Sequence, residues 1–342
     1  MPIDGGSMRG AHILSTEQFD RSNIERIFAV ADKMQPYAKR EKITRVLEGA
    51  ILGNMFFEAS TRTRVSFGCA FNLLGGTVRE TTGVESSALT KGESLYDTAR
   101  VLSGYSDVIV LRHPLAGSAA EFASASRVPV FNGGDGANEH PTQALLDLYT
   151  ISNELLSQQR SIDGLRIAMI GDLKHGRTVH SLSKLLCLFK NVEITLISPS
   201  ELKMPGALVN ELRHHCKQVT VTDQLEENIA HVDIVYSTRI QEERFGSLDE
   251  ALIYRGRFRL NKSIYTQFCE PNTVIMHPLP RDSRSEANEL DNDLNEHPNL
   301  AIFRQADNGV VIRMALFAMV LDVVDQVDAH ARAVNWHRPS SG

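Results

Sequence analysis

Cysteine is scarce in this chain. Only Cys69, Cys187, Cys216 and Cys269 occur. They lie far apart and form no C-x-x-C pair, which argues against a disulfide framework or a structural zinc site. A reducing, cytoplasmic setting fits that usage. No run of about 18 apolar residues is present, so no membrane span is expected. Residues 1–10 are Gly-rich without an apolar core, so they are not read as a signal peptide. Neither an internal repeat nor a low-complexity tract is visible. Excess positive charge is also missing. The formal net charge of −6 argues against a general binder of nucleic acid or anionic membrane. An anionic ligand would need a locally basic pocket, so the placement of Arg and Lys matters more than their total. The turn-like stretch 171–176, Gly-Asp-Leu-Lys-His-Gly, lacks G-x-G-x-x-G and is not read as dinucleotide-binding.

What is present is an ordinary globular composition, 42% hydrophobic and 23% charged. The length of 342 residues suits two domains of roughly 100–200 residues each. Apolar runs of strand length alternate with longer helical patterns. Strands are predicted at 51–57, 107–111, 128–131, 165–170, 192–197, 219–221, 233–236 and 273–276. Val65, Cys69 and Leu73 recur at i, i+4 and i+8, which predicts a helix that stops at Gly75-Gly76. Further helices are predicted over 141–152 and over the apolar stretch 310–327. The polar segment 154–163 reads as the turn between two halves. The alternation implies an α/β fold in which each half is a mainly parallel sheet flanked by helices. Ligands of such sheets bind beyond the carboxyl ends of the strands.

The first predicted strand runs into Ser60-Thr61-Arg62-Thr63-Arg64 and then a helix. Ser60 is a plausible N-cap. Free backbone N–H groups at a helix start favour an anion, and arginines add forked, charge-assisted bonds. Alone, the segment could equally be a capped, solvated helix start. Four more segments follow in order: Lys91-Gly92-Glu93, Arg112-His113-Pro114, His140-Pro141-Thr142-Gln143 and His277-Pro278-Leu279-Pro280. Together these five resemble the aspartate and ornithine carbamoyltransferase family, and the likeness spans residues 53–313. Within that family, Pro278 in place of a cysteine and the segment Thr238-Arg239-Ile240-Gln241-Glu242-Glu243-Arg244 resemble the aspartate branch. Charge points the same way, since a dicarboxylate wants guanidinium groups.

The resemblance implies transfer of a carbamoyl group from carbamoyl phosphate to the α-amine of L-aspartate. Neither a cofactor nor a metal is implied. Ser60, Thr61, Arg62 and Thr63 would bind the phosphate, with Arg112 helping. Thr63, Arg112 and His140 would polarise the carbamoyl carbonyl. Gln143 and the backbone carbonyls of Pro278 and Leu279 would hold the carbamoyl amide. Arg177 would take the α-carboxylate of aspartate, and Arg239 with Gln241 the β-carboxylate. Ser87 and Lys91 would reach a neighbouring subunit's site in a homotrimer, where Lys91 would also contact aspartate. The family also implies a carbamoyl-phosphate domain over 1–152, completed by a C-terminal helix at 308–342 packing back on it, and an aspartate domain over 153–307. Some relatives carry a regulatory or dihydroorotase partner chain.

Glu58 precedes the phosphate cradle, where a carboxylate needs cations to offset it. Arg177 and Arg244 are the expected partners, holding the halves together when both substrates are bound. Taken singly, these residues have ordinary readings. His140 could cap the following helix, Lys91 could be a solvated loop residue, and Arg239 could sit in a surface ion pair. The pair His214-His215 reads as a solvated helix face. Two rival functions stay open: carbamoylation of ornithine or a related amino acid, and a non-catalytic family member acting as a scaffold. The charged stretch 281–294 has no role assignable from sequence.

Overall fold

The computed structural model describes residues 3, 7–82, 92–247, 249 and 252–336, apart from the side chain of Glu243. Ser87 and Lys91 lie outside the described residues. The chain divides into two compact units, one of residues 1–142 and 309–342, the other of residues 143–308.

The first unit opens with helix α1 (Arg21–Ala38), started by a reciprocal cap between Asp20 and Asn23. Then come β1 (Lys42–Ile43), β2 (Ile51–Phe56), α2 (Thr61–Leu73), β3 (Thr77–Thr82), α3 (Leu95–Leu102), β4 (Val108–His113), α4 (Ser118–Ala125) and β5 (Val130–Asp135). The sheet order is β3-β2-β4-β5, all parallel. Strands β4 and β5 are buried along their whole length, as strands of a covered parallel sheet are. One face packs Met55, Ile109, Leu111 and Val130 against Phe122 of α4 and Ala99 of α3. The other is an aromatic cluster. Phe67 and Phe71 of α2 meet Phe317 edge-on, and Phe131 lies 4.9 Å from the same ring. Such pairs add about 0.5–1.5 kcal/mol each beyond their buried area.

The second unit takes most of α5 (Pro141–Ser157), then β6 (Arg166–Ile170), α6 (Arg177–Leu186), β7 (Glu193–Ile197), α7 (Gly206–His215), β8 (Gln218–Thr222), β9 (Ile234–Ser237), α8 (Lys262–Phe268) and β10 (Val274–Met276). Its sheet order is β10-β9-β6-β7-β8, again parallel. Strand order reverses between β6 and β9, and that is where such sheets open a ligand crevice. At the opposite ends of these strands Asp233 is buried beneath Arg160 (2.7 Å) and Arg166 (2.8 Å). Burial alone would raise its carboxyl, but the two arginines win and hold it below the usual carboxylate range. Helix α9 (Ile302–Val320) and strand β11 (Arg332–Ala333), antiparallel to β1, are the last helix and strand among the described residues.

Two expectations need correcting, and a third is refined. The last helix, expected over 310–327 from its pattern and over 308–342 from the resemblance, runs from Ile302 to Val320, with Asp322 in the left-handed region beyond it. Its first turns carry few apolar residues, which hid them. Segment 154–163 is not all turn, because α5 runs through Ser157. The stripe Val65, Cys69, Leu73 does lie on a helix, but Phe67, Ala70 and Phe71 are the side that packs inward, leaving Val65 53% exposed. Among the described residues no helix is long and apolar enough to cross a membrane.

Candidate active site

In the first unit the candidate residues gather at the carboxyl ends of β2, β4 and β5. Strand β2 stops at Phe56, and Ser60 sits in extended backbone just before α2. Ser60 occupies the N-cap position but makes no side-chain capping bond there. Asp20, Ser94 and Asn261 each do at their own helices. So the hydroxyl expected to cap α2 leaves the first helical N–H groups to another acceptor. Thr61, Arg62 and Thr63 form the first turn of α2. The second arginine of the motif goes elsewhere. Arg64 pairs with Glu80 of β3, while its carbonyl accepts from Asn54 Nδ2 at 3.1 Å.

Arg112 stands next to this turn because β4 neighbours β2, and the Phe57 N–H donates to its carbonyl at 2.8 Å. Its guanidinium is nearly buried. Nη1 donates to the Gly133 carbonyl (3.2 Å) and Nη2 pairs with Glu58 (2.8 Å). Sequence reasoning looked for the cations of Glu58 only in the second half. It missed this one because the pairing depends on strand order.

His140 follows β5 and is buried. The turn before it is built on Asp135, which accepts from Gly117 N–H (2.9 Å), Asn132 Nδ2 (2.9 Å) and Glu139 N–H (3.1 Å). Arg313 is a positioning residue the sequence did not disclose. It donates to Ser66 of α2 (2.7 Å) and Thr142 (3.4 Å), and lies 4.5 Å over the Phe67 ring. It thereby ties the cradle helix to the start of α5. Beside Arg112, burial pushes His113 below the ordinary imidazole value, despite nearby Glu121, Glu58 and Asp135.

The second unit places Arg177 after β6, Arg239, Gln241 and Arg244 after β9, and Pro278 and Leu279 after β10. These three strands are neighbours, so the segments emerge side by side. Asp172, fully buried, joins two of them. It accepts from the His175 N–H (3.0 Å) on the turn leading to Arg177 and from the Gln241 N–H (3.2 Å). Gly171 lets this happen. Its φ is +115°, and a Cβ there would lie 2.2 Å from the Thr238 carbonyl oxygen.

The charged stretch 281–294 now has a place. Arg284 bridges Asp282 and Glu242, and Glu242 also takes two bonds from Arg255 (2.6 and 3.0 Å). These arginines hold Glu242 below its ordinary carboxyl value. The stretch thus braces the segment that carries Arg239 and Gln241. Within it, Glu289 accepts from His277 Nε2 (2.7 Å), and His277 Nδ1 accepts the Leu279 N–H (2.8 Å). Leu279 is held at φ +57°, a conformation that costs a non-glycine residue about 1–2 kcal/mol. His214 and His215 are exposed on α7, as expected. Among the described residues no group of three or more His, Cys, Asp or Glu is arranged to hold a metal.

Two parallel α/β units, one with a helix start whose N-cap hydroxyl makes no capping bond and the other with guanidinium groups beyond its strand ends, have the build of a two-substrate transferase. The family models agree. Residues 11–153 match the carbamoyl-phosphate-binding domain of aspartate/ornithine carbamoyltransferases, and residues 163–320 match their aspartate/ornithine-binding domain. The chain belongs to the aspartate/ornithine carbamoyltransferase family. Over 328 residues it is 75% identical to the aspartate carbamoyltransferase catalytic subunit of Saccharophagus degradans, covering 96% of this chain and 97% of that one. Among solved structures it resembles aspartate transcarbamoylase from Trypanosoma cruzi in complex with N-(phosphonacetyl)-L-aspartic acid, at 38% identity and a TM-score of 0.82, covering 94% of this chain and 98% of that one. The same enzyme with carbamoyl aspartate and phosphate matches at 37% identity, with a TM-score of 0.82 and the same coverage.

Proposed function

We propose that this chain transfers the carbamoyl group of carbamoyl phosphate to the α-amine of L-aspartate, giving N-carbamoyl-L-aspartate and phosphate. The observation that carries the reading is identity of 75% along almost the whole chain to a catalytic subunit of that activity. This step belongs to pyrimidine biosynthesis, and the chain works in the cytoplasm.

The unprotonated amine attacks the carbonyl carbon, a tetrahedral intermediate forms, and phosphate leaves. The leaving phosphate accepts the proton that the amine releases, so no side-chain base is assigned. Ser60, Thr61, Arg62 and Thr63 bind the phosphate with Arg112. Thr63, Arg112 and His140 stabilise the developing oxyanion. Gln143 and the carbonyls of Pro278 and Leu279 accept from the carbamoyl NH2. Arg177 holds the α-carboxylate of aspartate, while Arg239 and Gln241 hold the β-carboxylate. Most of the rate comes from bringing two mutually repelling anions together in one orientation. The working form is a homotrimer in which Ser87 and Lys91 complete a neighbour's site. Glu58, Arg177 and Arg244 join when both substrates are bound.

The test is a carbamoylation assay with aspartate and ornithine, following phosphate release. Turnover of aspartate is expected. Turnover of ornithine alone would favour the other branch, and none with either would favour a scaffold role.

A further inference from the structure

Asp147 is fully buried, yet three donors converge on it. Gln143 Nε2 donates to Oδ1 at 2.9 Å from one turn earlier on α5. Gln305 Nε2 donates to the same oxygen at 2.6 Å, and the Tyr236 hydroxyl donates to Oδ2 at 2.6 Å. Gln305 and Tyr236 are themselves 1% or less exposed. Burial, with the contact to Asp147 added, pushes the Tyr236 phenol well above its ordinary value, so it stays a donor. A buried carboxyl is costly unless satisfied, and here it is fully satisfied.

A carboxylate surrounded by donors only accepts. An amide beside it must turn its NH2 inward and its carbonyl oxygen away. For Gln305 the consequence is visible. Its Oε1 accepts the backbone N–H of His277 at 3.0 Å, at the head of the 277–280 loop. For Gln143 the same logic presents Oε1 as the outward atom. Two sets of acceptors are therefore set by one carboxylate: Gln143 Oε1 directly, and the 277–279 backbone through Gln305.

We propose that Asp147 is a positioning residue that fixes the acceptor polarity of the pocket for the carbamoyl NH2, and so selects a carbamoyl over an acetyl group. This rests on the assignment of Gln143, Pro278 and Leu279 to the carbamoyl amide. A methyl group offers no donors, so those acceptors would be left unpaired against acetyl phosphate.

The experiment compares carbamoyl phosphate, acetyl phosphate and inorganic phosphate with wild type, Asp147→Asn and Gln305→Met. The isosteric Asp147→Asn weakens the acceptor and lets the amides flip. It is expected to lower kcat/KM for carbamoyl phosphate about tenfold and to shrink the preference over acetyl phosphate. Inhibition by inorganic phosphate should change less than about twofold, since phosphate touches none of these acceptors. Gln305→Met breaks only the relay to His277 and should give a smaller loss of the same pattern, which keeps the idea testable if Asp147→Asn does not fold. Equal weakening of phosphate and carbamoyl phosphate, or an unchanged acetyl preference, would overturn the proposal. Gln143→Ala separates the two readings. Normal carbamoyl phosphate kinetics in that variant would overturn the pocket assignment and this proposal with it. An impaired Gln143→Ala beside a normal Asp147→Asn would overturn the role of Asp147 alone.

Discussion

Glu58 and Arg112 form an ion pair of 2.8 Å at the carboxyl ends of neighbouring strands, with the guanidinium side chain 10% and the carboxylate 26% exposed. The pair keeps a carboxylate beside the cradle proposed for phosphate, and it occupies a nitrogen of an arginine that the proposed reaction needs. In the proposed reaction a bound phosphate and Glu58 would compete for that one cation, and a departing Glu58 would need other arginines.

Glu58→Ala tests that competition. Carbamoyl phosphate affinity should stay the same or tighten, because Arg112 loses a rival. Apparent aspartate affinity should fall about tenfold, and compaction on adding a bisubstrate analogue should shrink in solution scattering. Normal kinetics with normal compaction would remove Glu58 from the closure scheme and leave the proposed reaction standing.

Arg239→Ala addresses substrate choice. Loss of the partner for the β-carboxylate should raise the KM for aspartate at least about tenfold, with carbamoyl phosphate binding largely kept. Steady-state kinetics with each substrate varied decide it. Equal weakening of both would count against the assignment.

Mixing Lys91→Ala chains with Arg62→Ala chains tests the shared site. Each pure variant should be nearly inactive. Mixed trimers should regain part of the activity, since some sites combine two unaltered contributions. Mixed trimers verified by native mass that stay inactive would show that each chain builds its site alone.

The first unit should be acid-sensitive. His12 Nδ1 accepts the Val130 N–H (3.0 Å) and His113 Nδ1 accepts the Leu115 N–H (3.1 Å), so both rings must stay neutral there. Burial holds both below the ordinary value of 6.5. The unfolded chain takes up these protons near that value while the folded chain does not. Stability is thus fully present above pH 6.5 and is lost as pH falls below it toward the lowered values. Urea midpoints at pH 7.5 and 5.5 should differ in that direction, and His12→Asn should narrow the gap. A midpoint that rises on acidification would contradict the scheme.

Much of this molecule is written along its chain. Alternating apolar runs and helical periods specify parallel sheets, because a strand covered on both faces must be apolar throughout. Ser60 to Thr63 announce a helix start suited to an anion, because hydroxyls, an arginine and free backbone N–H groups are adjacent in sequence. Partner choice is another matter. Arg64 and Arg112 look alike in the sequence, but one goes to Glu80 on an edge strand and the other to Glu58. Strand β3 escaped detection because it is an edge strand of mostly exposed, mostly polar residues. The stripe on α2 signalled a helix while Phe67 and Phe71 decided which side turned inward, since only those rings find Phe131 and Phe317. Local periodicity and capping act between residues a few positions apart, so the sequence alone determines them. Ion pairs, ring packing and the buried hub at Asp147 need elements that meet only when strands take their order in the sheet, and that order is decided by the tertiary structure.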